Sequence, residues 1–205
     1  MKAILISIKP KWVAKILNGE KSIEIRKTMP KCELPIDVYV YCTKEKNTFL
    51  GRNHNGFELV KGDYNHFKPT PDKWAVNGKV VAKFTLKKVE PIVKSYHNYW
   101  GGLYYSQDLT EINLLDKAQI SREEIGKYLE NSKGYAWYID NLVIFDKPKK
   151  IRNFMAYGKF DKVKYDCPKA QRGRCNYHWL GSKDYHHCIK AELTKAPQSY
   201  CFVEV

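Results

Sequence analysis

Short runs in which apolar and polar residues alternate recur along this chain, and they constrain its fold more than any other feature. These runs occupy residues 22–26, 36–43, 78–89, 134–148 and 198–205. A period of two places successive side chains on opposite faces of a strand. The run at 134–148 divides at Asp140 and Asn141 into two strands. The apolar run Ala3–Ile8 indicates a further, buried strand. A fold rich in β-strands is therefore predicted.

The segment that follows the first apolar run has helical spacing. Pro10 suits the first turn of a helix, and Val13, Ile16 and Leu17 then recur on one face. The dipeptide Asn18–Gly19 is a typical helix stop. A short helix is predicted here, followed directly by the alternating run at 22–26.

A second helix is predicted from a capping signal. Ser121 is followed three residues later by Glu124, which is the spacing of a capping box. Ile125, Tyr128 and Leu129 then form an apolar stripe at helical spacing. The pattern predicts a helix that packs against the core through these three side chains.

Length and composition favour one α+β domain. The chain has 205 residues, 43% of them apolar, which suits one domain with a buried core. Residues at about 44–77 show no clear period and are predicted to form a long loop or an insertion, and a second insertion is predicted at about 158–193. Two or three helices are expected among the strands.

The charge of the chain points to a polyanionic partner. Lys and Arg number 36 against 22 Asp and Glu, which gives a formal net charge of +14. Such a protein attracts nucleic acid, although a basic surface also serves solubility alone. The sequence contains no run of 18 apolar residues and no typical signal peptide, so a cytoplasmic protein without membrane contact and with reduced cysteines is expected. Its oligomeric state stays open.

The segment Leu17–Lys31 holds the candidate functional residues. Strand alternation places Glu24 and Arg26 on one face, about 6 to 7 Å apart along the chain, and Lys21 is expected in the preceding turn with its long side chain directed to the same place. Arg can bind phosphate or a base edge, Glu can act as a general base, and Lys can contact phosphate or act as a nucleophile. The alternative is an ordinary ion pair at the end of the sheet.

Four segments together resemble the ASCH domain family, found in bacterial and prophage genomes. They are residues 6–30, 78–86, 120–154 and 195–205. The family pattern of Gly, Lys, Glu and Arg is met by Gly19, Lys21, Glu24 and Arg26. The resemblance implies a small β-barrel of the PUA-like superfamily across residues 1–205, with ligand binding at the barrel mouth.

The resemblance also extends the candidate site and leaves three functions open. It places Ser7, Lys9 and Trp12 near the same mouth, where Trp12 either stacks on a base or belongs to the core. The first hypothesis is a protein that binds RNA or a nucleotide-like ligand there. The second is a hydrolase, either a ribonuclease or a modified-nucleoside amidohydrolase, with Lys21 and Glu24 as catalytic residues. The third is a prophage protein-interaction module without a small ligand.

The amidohydrolase hypothesis meets a departure from the family pattern. In ASCH-like acetylcytidine amidohydrolases a Lys and a Thr of this segment and a later Glu carry the reaction. Lys21 matches that Lys, but Glu24 stands in the position of the Thr. The departure argues against carrying this activity over, and whether the protein is an enzyme stays open.

A Cys- and His-rich stretch near the C-terminus is a candidate metal site. Three cysteines and three histidines lie between residues 167 and 188. The proposed ligands of a structural zinc ion are Cys167, Cys175, Cys188 and His178, with His186 or His187 as substitutes for His178. The spacing is irregular and lacks a Cys-x-x-Cys pair, so packed, reduced thiols are the alternative.

Overall fold

A computed structural model describes residues 1–53, 55–62, 74–97, 101–130, 132–156 and 192–205. This part of the chain holds three α-helices and a 3₁₀ helix, which are α1 Pro10–Leu17, α2 Glu111–Ala118, α3 Arg122–Leu129 and the 3₁₀ helix Ile151–Asn153. Its strands are β1 Lys2–Ile8, β2 Ile23–Arg26, β3 Ile36–Cys42, β4 Thr48–Asn53, β5 Gly56–Lys61, β6 Trp74–Ala75, β7 Val80–Leu86, β8 Val89–His97, β9 Gly101–Tyr105, β10 Gly134–Tyr138, β11 Asp140–Lys149, β12 Met155–Ala156 and β13 Tyr200–Glu204.

The strands form three sheets in the described residues. The largest has six strands in the order β11-β7-β3-β1-β13-β12, the second has the order β2-β10-β8-β9, and the third has the order β5-β4-β6. β1 pairs with β3 in parallel and with β13 antiparallel, so β1 is a central strand. A single residue, Ile139, separates β10 of the second sheet from β11 of the first.

The apolar run of β1 is explained by a core on each face of the six-stranded sheet. Ile4, Ile6 and Ile8 belong to the larger core cluster, which also contains the buried face of α1. Ala3 and Leu5 point to the opposite face and pack in a second cluster. A strand that is covered on both sides needs apolar residues at every position, so it loses the alternation seen elsewhere.

Both predicted helices and all the predicted strand regions are present. α1 ends where the sequence indicated, because Gly19 has a φ of 78° and follows the C-cap Asn18. In α3, Ser121 Oγ accepts from the Glu124 amide and the Glu124 side chain accepts from the Ser121 amide, which completes the capping box. The prevalence of strands with three α-helices in the described residues confirms the α+β class.

Residues 44–77, predicted to form a long loop or an insertion, contain strands and are not a plain loop. β4 and β5 form an antiparallel hairpin there, and β6 pairs with β4. Phe49 and Leu50 are consecutive and both buried, so this strand has no apolar alternation to recognise. The Asn18 side chain donates to the carbonyl of Phe57 at 2.8 Å and accepts from its amide at 3.0 Å, which fixes the hairpin to the end of α1.

The remaining structural predictions are met in part. The described strands form three sheets with linear strand orders and no closed barrel. They fit an α+β fold with a curled, half-barrel sheet. The zinc ligands Cys167, Cys175, His178 and Cys188 lie outside the described residues, as does most of the insertion at 158–193. In the described part of the chain, no helix is both long and apolar enough to cross a membrane.

Candidate functional site

The turn between α1 and β2 brings Lys21 to the site. The amides of Glu20 and Lys21 both donate to the carbonyl of Lys15, at 2.9 and 3.0 Å. These bonds hold the chain against the last turn of α1 before β2 begins at Ile23. Lys21 therefore lies in the connection where the sequence placed it, and its side chain is buried.

β2 presents two different faces, as its alternation predicts. It pairs antiparallel with β10, with Glu24 opposite Trp137. Ile23 and Ile25 enter a core cluster that lies against α2 and α3. Glu24 and Arg26 occupy the other face of the same strand.

Lys21, Glu24 and Arg26 form one buried ionic cluster. Glu24 Oε2 lies 3.5 Å from Lys21 Nζ, and Glu24 Oε1 lies 3.2 Å from Arg26 Nε. The three residues are 4%, 7% and 6% exposed. Two cations thus share one carboxylate, and the cluster has a local charge of +1 when all three groups are ionised.

The two cations are held by backbone carbonyls as well as by Glu24. Lys21 Nζ donates to the Ala118 carbonyl at 2.6 Å, and Arg26 Nη2 donates to the Ser7 carbonyl at 2.6 Å. Arg26 Nε is close to Glu24, but among the described residues it has no acceptor in hydrogen-bonding geometry. Among the described residues, this buried donor therefore has only the ion-pair contact with Glu24.

Several opposing effects act on the pKa of Lys21. Burial lowers the pKa of its ammonium group, Glu24 raises it, and the charges of Arg26 and Lys15 lower it again. The net direction is downward, because an ammonium ion loses its hydration in this position. Lys21 thus has a larger neutral fraction than an exposed lysine at the same pH.

Trp12 borders the cluster and is partly buried. Its ring centroid lies 5.1 Å from Lys21 Nζ, 4.5 Å from Lys11 Nζ and 6.0 Å from Lys15 Nζ. Trp12 also packs against the larger core cluster. The Trp12 ring therefore touches both the core and the cluster, and stacking on a base stays a prediction.

The structure brings Ser7 to the cluster but not Lys9. Ser7 contributes its carbonyl, and its buried Oγ has no hydrogen-bond partner among the described residues. Lys9 is exposed at the N-cap of α1, and its carbonyl accepts from the Trp12 and Val13 amides. In the described part of the chain, no recorded contact links the Lys9 side chain with Lys21, Glu24 or Arg26.

Tyr128 also borders the cluster, although the sequence assigned it to the core. Its phenol lies beside Arg26 and Glu24, and its ring centroid lies 5.5 Å from Lys27 Nζ. Burial raises the pKa of the phenol, so the hydroxyl stays protonated at neutral pH. Helical spacing places Tyr128 on the same apolar stripe as Ile125 and Leu129. Its position beside Arg26 follows only from the packing of α3 near β2, which the sequence does not reveal.

A second buried carboxylate, Glu90, is fully occupied by its own partners. It accepts from Ser106 Oγ at 2.5 Å and Tyr138 Oη at 2.9 Å, and Lys88 Nζ lies 2.6 Å away. Lys88 also pairs with Asp108. Burial alone would raise the pKa of Glu90, but the hydrogen bonds from these partners lower it to about 2. This network ties β8, β10 and the segment after β9 together and engages both oxygens of the carboxylate.

Glu90 is expected to contribute to acid sensitivity. Because its pKa falls from 4.5 to about 2 on folding, its contribution to stability is complete above pH 4.5 and is lost as the pH falls towards 2. Glu90→Gln should therefore flatten the dependence of the unfolding free energy on pH in this window. Urea denaturation at several pH values measures the slope, and an unchanged slope in the variant would contradict the assignment.

Comparison with known proteins adds a structural likeness. No protein-family model matches the sequence, and no curated protein matches it. The solved structure of ASCH from Zymomonas mobilis aligns at 12% identity with a TM-score of 0.48, covering 98% of this chain and 87% of that chain. A mutant of that protein aligns at 12% identity and a TM-score of 0.46, covering 98% and 88%. A second mutant aligns at 14% identity with a TM-score of 0.42, covering 90% of this chain and 94% of that chain.

The aligned structures carry the same family name that the sequence resembles. Identities of 12–14% with TM-scores below 0.5 decide neither ligand nor activity. The Lys21–Glu24–Arg26 cluster is therefore the feature of this chain that bears on its function.

Proposed function

We propose that this chain is an ASCH-type protein that binds RNA or a nucleotide-like ligand at the Lys21–Glu24–Arg26 cluster. The observation that carries the proposal is the imbalance of the cluster, in which two buried cations share one carboxylate. A buried charge that no opposite charge compensates is costly. The surplus cation favours a ligand that brings negative charge and acceptor oxygens.

The surroundings of the cluster favour the same kind of ligand. Lys11 and Lys15 lie near the Trp12 ring, and Lys27 lies near the Tyr128 ring. Lysines attract phosphates, while aromatic rings provide faces on which bases stack. The formal net charge of +14 extends this attraction to a long polyanion.

A hydrolase is the second candidate, and one observation favours it. Burial lowers the pKa of Lys21, and Glu24 lies 3.5 Å away. A lysine that is desolvated in this way can act as a base or a nucleophile near neutral pH. The reaction would then be hydrolysis of RNA or of a modified nucleoside, with Lys21 and Glu24 as the catalytic residues and Arg26 as the group that stabilises developing negative charge.

RNA binding should depend strongly on salt. Each phosphate that the protein neutralises releases counterions, so the logarithm of the affinity should fall linearly with that of the salt concentration, with a slope of about −0.7 for each contacted phosphate of a single strand. Fluorescence anisotropy with a labelled single-stranded RNA at several salt concentrations measures this slope. An affinity that is the same from low to moderate salt would contradict the proposal.

The same samples distinguish binding from hydrolysis. RNA recovered from the binding reaction is run on a denaturing gel, and a panel of modified nucleosides is incubated in parallel and separated by chromatography. Intact RNA that is retained by the protein supports the binding function. Shortened RNA, or a nucleoside converted to a product, supports the hydrolase.

A further inference from the structure

Helix α3 directs one large aromatic side chain away from the core. Ile125 and Leu129 are buried in the cluster that lies against β2. Tyr128 is 38% exposed, although it follows the same apolar stripe in the sequence. An aromatic ring that remains partly in solvent while its helix neighbours pack inside is accessible to a ligand.

The contacts of Tyr128 connect it with the ionic cluster. Its phenol lies beside Arg26, which is linked through Glu24 to Lys21, and Lys21 lies beside Trp12. A continuous row of contacts thus begins at one aromatic ring and ends at another, with the two cations and their shared carboxylate between them. Lys27 adds a charge at the Tyr128 end, since its Nζ is 5.5 Å from the ring centroid.

We infer that Tyr128 is a base-stacking residue of this site and that the ligand is single-stranded RNA, or a nucleotide, with an unpaired base. The inference rests on the proposed function and adds a ligand class and a recognition residue to it. Lys27 is exposed beside the ring and is in position to hold phosphate while the Tyr128 ring contacts the base. A paired base is stacked within its duplex and cannot offer its face to a side chain in this way.

Tyr128 suits this role because of its geometry and its small entropic cost. A tyrosine ring is rigid and has few rotatable bonds, so little freedom is lost when a base stacks on it. The helix backbone of α3 positions the ring, and the capping box at Ser121 and Glu124 fixes the start of that helix. The neighbouring cations favour the phosphates of the same nucleotide.

The test compares two oligomers that differ in bases alone. The first is a labelled single-stranded RNA of about eight nucleotides, a length within the range that such binding sites cover. The second is an abasic oligomer with the same number of phosphates. Wild type, Tyr128→Leu, Tyr128→Phe and Tyr105→Leu are titrated with both. Tyr105 is a matched control, because it is 39% exposed on β9 and has no recorded contact with the cluster among the described residues.

Tyr128→Leu is expected to weaken binding of the RNA by between about 5-fold and about 150-fold, which corresponds to the loss of about 1–3 kcal/mol for one stacked base. Its affinity for the abasic oligomer should match that of wild type. Tyr128→Phe should retain RNA binding because it keeps the ring, and Tyr105→Leu should bind both oligomers as wild type does. The ratio of the two affinities is measured on one preparation, so a partly unfolded fraction does not imitate the effect.

Two results would overturn the inference while the proposed function stands. In one, Tyr128→Leu changes the affinities for both oligomers equally or leaves both unchanged. In the other, Tyr128→Phe loses as much RNA affinity as Tyr128→Leu, which would assign the effect to the hydroxyl and not to the ring. If wild type binds neither oligomer, the proposed function fails, and the inference fails with it.

Discussion

Glu24→Gln is expected to lower the free energy of unfolding by about 3–5 kcal/mol, because it leaves two buried cations without a shared anion. Lys21 and Arg26 are 4% and 6% exposed, and the charge of Arg26 is one of the causes that lower the pKa of Lys21. Glutamine has nearly the same shape as glutamate, so the loss measures charge and not packing. Urea denaturation at neutral pH provides the measurement.

The matched control for this prediction is Glu123→Gln on α3. Glu123 pairs with Lys127 at 3.2 Å, and both side chains are about four-fifths exposed. Removal of an exposed pair of this kind should change the unfolding free energy by less than about 0.5 kcal/mol.

Inorganic phosphate adds an independent measurement to the Glu24→Gln experiment. If the cluster accepts anions, phosphate should stabilise the variant more than wild type, because it replaces the missing carboxylate. A variant as stable as wild type in the absence of phosphate would show that the two cations are not held in a dry environment. The charge imbalance would then no longer support an anionic ligand at this cluster.

The strand framework was predictable from sequence because alternation and turn signals were local. The capping box of α3 and the glycine after α1 both lie within four residues of the helix ends that they specify. The hairpin β4–β5 was missed for the opposite reason. Phe49 and Leu50 are buried on both faces of their strand, and Asn18, far away in sequence, fixes that hairpin.

Helix α2 was not predicted, although its signals are present. Thr110 is the N-cap and accepts from the Asn113 amide, while Leu114 and Ala118 recur four residues apart and are buried. Ile112 interrupts this pattern, since it is 81% exposed on the same helix. An apolar residue on the solvent face weakens the periodicity that sequence analysis depends on.

The three charged residues of the site were predictable from the sequence, and the groups around them were not. The face shared by Glu24 and Arg26 follows from strand geometry, and the reach of Lys21 follows from the length of its side chain. The carbonyls of Ser7 and Ala118, which complete the coordination of the two cations, are backbone groups that any residue type would supply. Tyr128 enters the site through the packing of α3 near β2, which is a tertiary contact.

Lys21→Met should separate a ligand site from a structural ion pair more sharply than any other substitution. Methionine keeps the unbranched shape and the apolar stem of lysine but removes the desolvated charge. Glu24 keeps Arg26 as a partner at 3.2 Å, so no buried anion is left alone. The Ala118 carbonyl loses its donor, and this loss offsets part of the gain from removing a buried ammonium group. The unfolding free energy should therefore stay within about 1 kcal/mol of the wild-type value.

RNA binding should respond to Lys21→Met very differently from stability. A charge-assisted hydrogen bond to phosphate contributes about 1.5–3 kcal/mol, so the affinity should fall by between about 10-fold and about 150-fold. Lys83→Met is the matched control, because it removes one lysine charge at a partly buried pair with Asp37 on the six-stranded sheet, away from the cluster. That control should bind RNA nearly as wild type does.

The combination of stability, binding and turnover in Lys21→Met decides between the candidate functions. Retained stability with lost affinity supports a ligand site, since the lysine then contributes to binding and not to folding. Retained affinity with lost turnover would instead identify Lys21 as the base or nucleophile of the hydrolase. A fall of several kcal/mol in the unfolding free energy with RNA affinity unchanged would contradict both candidate functions. The surplus cation would then stabilise the fold, and a group of the protein itself would have to balance the charge around Glu24.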